Sequence, residues 1–139
     1  MANRENKFRA WDTQHNKMWS PEEMGRDELT INPDGRGFVN VSGTDARLSE
    51  YMTHLIPLQW TGLRDKNGVE IYEGDILRIQ SQYETDVPVD SRAEVIFSDG
   101  SFRCTFHDMI LNSKVCSGSE GNWNCERIGN IYEHLELLK

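Results

Sequence analysis

The sequence is short of basic side chains. Its 139 residues include 15 Lys and Arg against 23 Asp and Glu, which gives a formal net charge of −8. Residues 1–69 hold 9 basic and 10 acidic side chains, whereas residues 70–139 hold 6 and 13. A strongly basic nucleic-acid binder is therefore excluded as the leading hypothesis, because neutralising phosphates requires clustered Lys and Arg.

Long apolar runs and an even number of cysteines are also absent. No window approaches the ~18 apolar residues of a membrane-spanning helix, and the first residues carry no apolar core of a signal peptide. We therefore expect a cytoplasmic chain without membrane contact. The odd count of three cysteines argues against a disulfide framework and favours reduced thiols, with a Cys116–Cys125 bridge left open.

The motifs of common enzyme classes are missing as well. The sequence has no Gly-x-Ser-x-Gly, no Walker-type phosphate loop and no dinucleotide fingerprint, so a binding protein is favoured over an enzyme and no cofactor is expected. Zinc is only weakly indicated by Cys104, His107, Cys116 and Cys125, because structural zinc sites use two tight ligand pairs and only the first two are closely spaced. The alternation of Cys104 with neighbouring phenylalanines favours a buried thiol instead.

Turn residues recur at intervals of roughly ten residues, a spacing typical of short antiparallel strands. The pattern predicts hairpins over residues 7–19, 29–41, 58–72 and 93–106, the third of them around an Asn-Gly turn. A further strand is predicted at residues 76–79 and a closing strand at 127–132. Two segments are predicted to be irregular, namely the polar stretch Gln80–Asp90 and the stretch Ser113–Glu126.

Helical signals are few. Ser20, Pro21 and Glu23 match a capping box that starts one short turn. Residues 44–55 are predicted to form a helix, because four apolar side chains recur at helical spacing there, namely Leu48, Tyr51, Met52 and Leu55. A terminal helical turn is predicted at residues 133–138.

These elements predict a mainly β fold. We expect a small SH3-like barrel or a strongly bent antiparallel sheet, with N-terminal hairpins and one or two short helices, because closure of the sheet protects its edges. Residues 1–57 would form an N-terminal subdomain of hairpins and a short helix, and residues 58–139 a barrel-like subdomain. Together they are expected to make one compact domain.

One long segment carries a family resemblance. Residues 58–76 read LQWTGLRDKNGVEIYEGDI and resemble the signature of the YopX family of phage and prophage proteins. Residues 7–19, 95–100 and 128–138 resemble the opening, the middle hairpin and the end of the same family, in the same order. The resemblance implies a mainly β structure from a phage or prophage and supplies no catalytic residue set.

The charged side chains of the signature have two interpretations. In the first, they form a ridge that binds a host or phage protein, with contacts at the hairpin tips Arg64–Asn67 and Gln80–Asp90. In the second, which we favour for the motif as a whole, Asp65 and Asp75 hydrogen-bond their own turns. Acid–base chemistry or Mg²⁺ binding by these carboxylates is a weaker hypothesis. The candidate binding residues are Arg64, Asp65, Lys66, Glu70, Glu73 and Asp75.

Two alternative functions follow from other features. Small β-barrels bind single-stranded nucleic acid through aromatic side chains, and the candidates here are Trp11, Trp19, Trp60 and Tyr72. The net charge disfavours such a partner. The acidic half also matches, weakly, a protein that imitates DNA and inhibits a host protein. Whether the chain forms a homo-oligomer is left open.

Overall fold

A computed structural model describes residues 5–35, 37–40, 50–81, 89–118 and 123–139. Contacts divide the chain into two units, with residues 6–59 in the first and residues 60–139 forming the main part of the second. The predicted mainly β class is confirmed, and the sheet is strongly bent rather than a closed barrel. The subdomain division predicted at residue 57 stays a prediction.

The described residues form the following strands: β1 Phe8–Asp12, β2 Lys17–Trp19, β3 Leu29–Ile31, β4 Phe38–Asn40, β5 Glu50–Met52, β6 Leu55–Arg64, β7 Glu70–Tyr72, β8 Asp75–Ser81, β9 Val89–Ser98, β10 Ser101–Cys104, β11 Met109–Ile110 and β12 Trp123–Asn130. The helices are α1 Pro21–Arg26, α2 Ser113–Ser117 and the C-terminal 3-10 helix Leu135–Leu138. None of these helices is long and apolar enough to cross a membrane.

In the first unit, β1 lies between β2 and the first half of β6, and β3, β4 and β5 form a separate antiparallel sheet. Helix α1 begins where the sequence predicts. The Ser20 hydroxyl accepts from the Glu23 amide at 3.1 Å, and the Glu23 carboxylate accepts from the Ser20 amide at 3.2 Å. The helix buries Met24 in a small core with Ala10, Phe38 and Leu55.

The predicted helix over residues 44–55 is wrong where the structure describes it. Strand β5 ends at Met52, a turn follows, and Leu55 begins β6. Strand pairing overrides the helical spacing, because β5 pairs with β4 and Leu55 pairs with Asp12 on β1. Leu55 and Met52 still face the core, since both join the apolar cluster of this unit. Residues 41–49 lie outside the described residues.

In the second unit, the other half of β6 pairs with β7, and a five-stranded sheet has the order β11-β10-β9-β8-β12. This sheet curls into an antiparallel half-barrel. A bulge at Ile128 interrupts the pairing of β12 with β8, and bulges of this kind increase local twist. The core of this unit is an apolar cluster that includes Ile71, Leu77, Ile79, Ala93 and Val95.

Both predicted irregular segments contain more regular structure than expected. Asn112 accepts from the Val115 amide at 2.9 Å and Gly118 ends the helix with φ of 70°, so Ser113–Ser117 is helical. Gln80 belongs to β8 and Asp90 to β9, while residues 82–88 and 119–122 lie outside the described part of the chain. The predicted terminal helical turn is confirmed as the 3-10 helix Leu135–Leu138.

Candidate functional site

The turn between β6 and β7 is built around the carboxylate of Asp65, a residue that is only 3% exposed. One carboxylate oxygen accepts from the amides of Asn67 and Val69 at 2.8 and 2.9 Å. The Gly68 amide donates to the Asp65 carbonyl at 3.0 Å, and Gly68 has φ of 79°, which is easiest for glycine. The turn predicted from the Asn-Gly pair is therefore present, and Asp65 closes it.

The second oxygen of Asp65 reaches a distant strand. It accepts from the Arg127 amide on β12 at 2.8 Å. The adjacent Lys66 amide donates to the Cys125 carbonyl at 3.1 Å. Two hydrogen bonds thus attach the turn to β12. They leave the loop backbone with little freedom, because breaking the hydrogen bonds that a buried carboxylate accepts from several amides is costly.

Arg64 and Lys66 flank the buried aspartate and point outward, with 57% and 34% of their side chains exposed. Arg64 donates to the Gly68 carbonyl at 3.2 Å, and its guanidinium lies 3.9 Å from the Glu70 carboxylate. Lys66 lies 3.8 Å from the Glu126 carboxylate. We call these four side chains, Arg64, Lys66, Glu70 and Glu126, the tip surface.

The structure does not bring the six candidate binding residues together on one surface. Asp65 and Asp75 are buried, and a carboxylate oxygen of Asp75 accepts from the Tyr72 amide at 2.7 Å, so both act inside turns. Arg64, Lys66 and Glu70 share the tip surface. Glu73 is half-buried in the turn before β8. Sequence reasoning missed Glu126, because only the pairing of distant segments brings β12 beside this hairpin.

The four aromatic candidates for base stacking are largely used in packing. Trp11 and Tyr72 are 9% and 5% exposed. The indole of Trp19 donates to Asp12 at 3.1 Å, and that of Trp60 donates to the Leu63 carbonyl at 3.3 Å. A stacking platform needs exposed ring faces. Among the described residues, the exposed large apolar side chains are others, namely Ile56, Phe97, Ile110 and Leu135.

The three cysteines are free and fully buried in the second unit. A hydrogen bond with Cys116 together with burial raises the pKa of Cys125. Burial likewise raises the pKa of Cys104. The three thiols and His107 are not among the described residues whose ligand atoms are grouped within metal-binding distance of one another.

A polar cavity of about 640 Å³ lies on the second unit, lined by Arg78, Asp90, Ser91, Arg92, Leu137, Leu138 and Lys139. Arg78 and Arg92 stand directly opposite each other on β8 and β9. Such like charges repel, and Asp90 offsets them with two hydrogen bonds to Arg78 at 3.0 and 2.7 Å. Asp90 was predicted as part of a contact surface, and here it neutralises a neighbouring arginine.

Another buried aspartate closes the turn between β1 and β2. Asp12 is 1% exposed, and one of its oxygens accepts from the amides of Gln14 and His15 at 2.9 and 3.0 Å. The other oxygen lies 2.8 Å from Nδ1 of His15 and accepts from the Trp19 indole. Burial by itself raises the pKa of Asp12, but hydrogen bonds from Trp19, His15 and the backbone outweigh it and bring the pKa to about 2.

The imidazole of His54, from the turn between β5 and β6, lies beside this aspartate. Ligand atoms of Asp12, His15 and His54 are all within 4.8 Å of one another, the one such group of three among the described residues. The two histidine rings meet edge to face at 6.3 Å. Sequence reasoning missed this cluster, because Asp12 and His15 fit an ordinary turn and only strand pairing brings His54 to them.

Comparisons with known proteins find one matching family model and solved structures of similar fold. The sequence model of the family described as YopX protein matches residues 7–139. The crystal structure of protein EF1440 from Enterococcus faecalis is similar with a TM-score of 0.67 and 29% identity, over 99% of this chain and 100% of that one. The X-ray structure of protein yopX from Bacillus subtilis has a TM-score of 0.59 and 23% identity, over 95% and 97%. Among curated proteins, none matches.

Proposed function

Because the chain belongs to the YopX family, we propose that it is a phage or prophage accessory protein that binds a protein partner and catalyses no reaction. The partner is a host or phage protein met in the cytoplasm. The contact surface is the tip surface of Arg64, Lys66, Glu70 and Glu126. Of the six residues proposed from the sequence, this assignment keeps Arg64, Lys66 and Glu70, and it adds Glu126.

The buried carboxylate of Asp65 carries this proposal. Its bonds to three backbone amides hold the hairpin backbone in one conformation before any partner arrives. A preorganised loop loses less conformational entropy on binding than a loop that must first be ordered. Recognition residues are also found mainly on loops that a rigid scaffold positions, and the Asp65 turn meets that description.

The charges of the tip surface support a protein partner. Positive and negative side chains alternate, with Arg64 beside Glu70 and Lys66 beside Glu126 at 3.9 and 3.8 Å. Pairs as exposed as these stabilise the fold by about 1 kcal/mol or less, so a partner can replace them at little cost. A mixed pattern favours a complementary mixed surface over a phosphate backbone, and such complementarity provides specificity.

The double variant Arg64→Ala/Lys66→Ala tests the proposal. Immobilised wild-type and variant chains are incubated with host lysate, with and without phage proteins, and retained proteins are quantified by mass spectrometry. The matched control, Lys17→Ala/Arg26→Ala, removes the same two charges from the first unit. We expect at least one protein to be retained by the wild type and the control and reduced about tenfold or more with the tip variant.

Equal retention by the tip variant would refute the tip surface as the contact site. Retention of a second copy of the chain, checked by light scattering, would identify the partner as a homo-oligomer through the same surface. Titration of the four tryptophans with single-stranded DNA at ~50 mM salt tests the other class of partner. Quenching there, without a retained protein, would replace this proposal with nucleic-acid binding.

A further inference from the structure

We propose that Asp12, His15 and His54 form a binding site for a divalent transition metal of the Zn²⁺ type, with three protein ligands and one open position. Imidazole nitrogen and carboxylate oxygen are ligands that Zn²⁺ prefers, and sites with three protein ligands keep the fourth position for water or a substrate. The site lies entirely within the first unit and is independent of the tip surface.

Strand pairing brings the three ligands together. Asp12 ends β1, and its register partner is Leu55, which directly follows His54 in the chain. The backbone amide and the hydroxyl of Thr13 donate to the His54 carbonyl at 2.9 and 3.0 Å. These bonds fix the two turns to each other through the backbone, so the three residues are held side by side before any metal arrives.

The distances are close to those of a metal centre. Zinc bonds of 2.0–2.2 Å place tetrahedral ligand atoms roughly 3.4 Å apart. The Asp12 oxygen and His15 Nδ1 are 2.8 Å apart, and no pair of ligand atoms in the group exceeds 4.8 Å. The required adjustments fall on the histidine rings, of which His15 is 70% exposed and His54 is half-buried.

The hydrogen bonds of Asp12 allow a metal to enter without breaking the turn. Two backbone amides occupy one oxygen, and the Trp19 indole occupies part of the other. Only the hydrogen bond with His15 must be exchanged. The metal takes the place of the proton between Nδ1 and the carboxylate, and the imidazole carries its proton on Nε2 instead. Trp19 and the two amides then orient the ligating carboxylate, as partners of metal ligands commonly do.

The side chain of His54 distinguishes this group from an ordinary aspartate turn. Closing the turn uses Asp12 and the amides that follow it, together with the His54 carbonyl. The described contact of the His54 imidazole is with the ring of His15 alone. A ring that adds no hydrogen bond to the turn is nevertheless held within metal-ligand distance of a buried carboxylate, and metal binding gives this placement a use.

The test uses the full chain purified without a polyhistidine tag. Zn²⁺ is titrated calorimetrically, and Co²⁺ serves as a spectroscopic probe of ligand type. The variants are His54→Gln and His15→Gln, with His107→Gln as the matched control. We expect one equivalent of metal to bind to the wild type and the control, and each test variant to bind about tenfold more weakly or worse. His54→Gln leaves the backbone carbonyl bond in place, so folding is preserved.

Cobalt absorption separates this site from the buried thiols. Nitrogen and oxygen ligands give weak visible bands, whereas cysteine ligation adds an intense sulfur-to-metal charge-transfer band in the near ultraviolet. Bound Zn²⁺ should also raise the melting temperature of the wild type more than that of His54→Gln. Absence of binding, a thiolate band, or equal affinity in His54→Gln, His15→Gln and the wild type would overturn the proposal.

Discussion

The turns that follow β1 and β6 each close on a buried aspartate, and the two aspartates differ in what they bind. Asp65 accepts from three backbone amides, one of them 62 residues away on β12. Asp12 accepts from two backbone amides and from the side chains of His15 and Trp19. The hydrogen-bond partners of Asp65 are therefore all backbone groups, whereas two of the four partners of Asp12 are side chains that can exchange for another partner.

The difference assigns different tasks to two similar turns. The donors to Asp65 are backbone amides that the strands hold in place, so none of these bonds is readily given up for a ligand and the Asp65 turn supports what lies on its outside. A carboxylate bonded to an exposed imidazole can give up that bond for a metal. Asp12 ends β1 and Asp65 directly follows β6. The side-chain partners of Asp12 come from its own hairpin, whereas Asp65 also accepts from the distant strand β12.

The largest effect is expected from Asp65→Ala. Three amides would lose their acceptor, and the one on β12 is a bond that ties the turn to a distant strand. We expect the free energy of unfolding to fall by about 3 kcal/mol, measured by urea denaturation. The exposed surface variant Glu22→Ala should change it by less than about 0.5 kcal/mol. A loss as small as that of the control would show that the β6–β7 turn does not depend on Asp65.

A smaller loss is expected from Asp12→Ala, measured with a chelator present. The amides of Gln14 and His15 and the indole of Trp19 lose their acceptor, but the turn is local and water can replace part of what is lost. We expect the free energy of unfolding to fall by about 2 kcal/mol. If Asp12→Ala proves more destabilising than Asp65→Ala, the contrast between backbone and exchangeable partners is wrong.

Trp19→Phe removes one exchangeable partner of Asp12 and keeps most of the ring. The indole donates to the carboxylate at 3.1 Å, and losing one hydrogen bond to a charged group should lower the free energy of unfolding by about 1.5 kcal/mol or less. This loss of stability is measured by thermal unfolding of the variant and the wild type in the presence of a chelator. No loss at all would mean that the indole does not hold the carboxylate.

The smallest effect concerns thiol reactivity beside the Asp65 turn. Burial raises the pKa of Cys104, and the bond to Cys116 with burial raises that of Cys125. A raised pKa keeps a thiol protonated to higher pH, so labelling of Cys104 and Cys125 in the native chain should rise less between pH 7.5 and 9 than labelling of the same residues in the unfolded chain, where thiols have ordinary pKa values near 8.5. The extent of labelling at each pH is measured by mass spectrometry after timed alkylation.

The same labelling compares the two turns. Asp65→Asn should speed alkylation of Cys125, because the Lys66 amide donates to the Cys125 carbonyl and loosens with the turn. Asp12→Asn, in the other unit, should leave that rate unchanged. Equal acceleration by both variants would indicate general unfolding rather than a local connection.

Local signals in the sequence predicted much of the fold. The Ser20 capping box, the turn at Gly68 and the hairpins around them depend on neighbours within a few residues, and all are present. Residues 50–55 were predicted as helix, because their apolar spacing suits a helix and the partner strand that converts them to β-structure is 10 or more residues away. Helix α2 was missed, because its Asn112 cap and Gly118 end resemble a loop.

The candidate sites were predicted less completely, for the same reason. The sequence predicted that Asp65 and Asp75 close turns, and it identified Arg64 and Lys66 as outward charges. It could not pair Lys66 with Glu126 or His15 with His54, since each pair comes from segments that only tertiary structure brings together. Residue type indicates what a side chain can bind, and strand register decides what it meets.

Amide hydrogen exchange gives the most direct test of the central claim that Asp65 holds the tip in one conformation. In ¹⁵N-labelled wild type, the amides of Asn67, Val69 and Arg127 should exchange as slowly as neighbouring amides in β8, and Asp65→Asn should speed the exchange of all three. Exchange in the wild type as fast as in an unstructured peptide would contradict the account, since a partner would then have to order the loop itself.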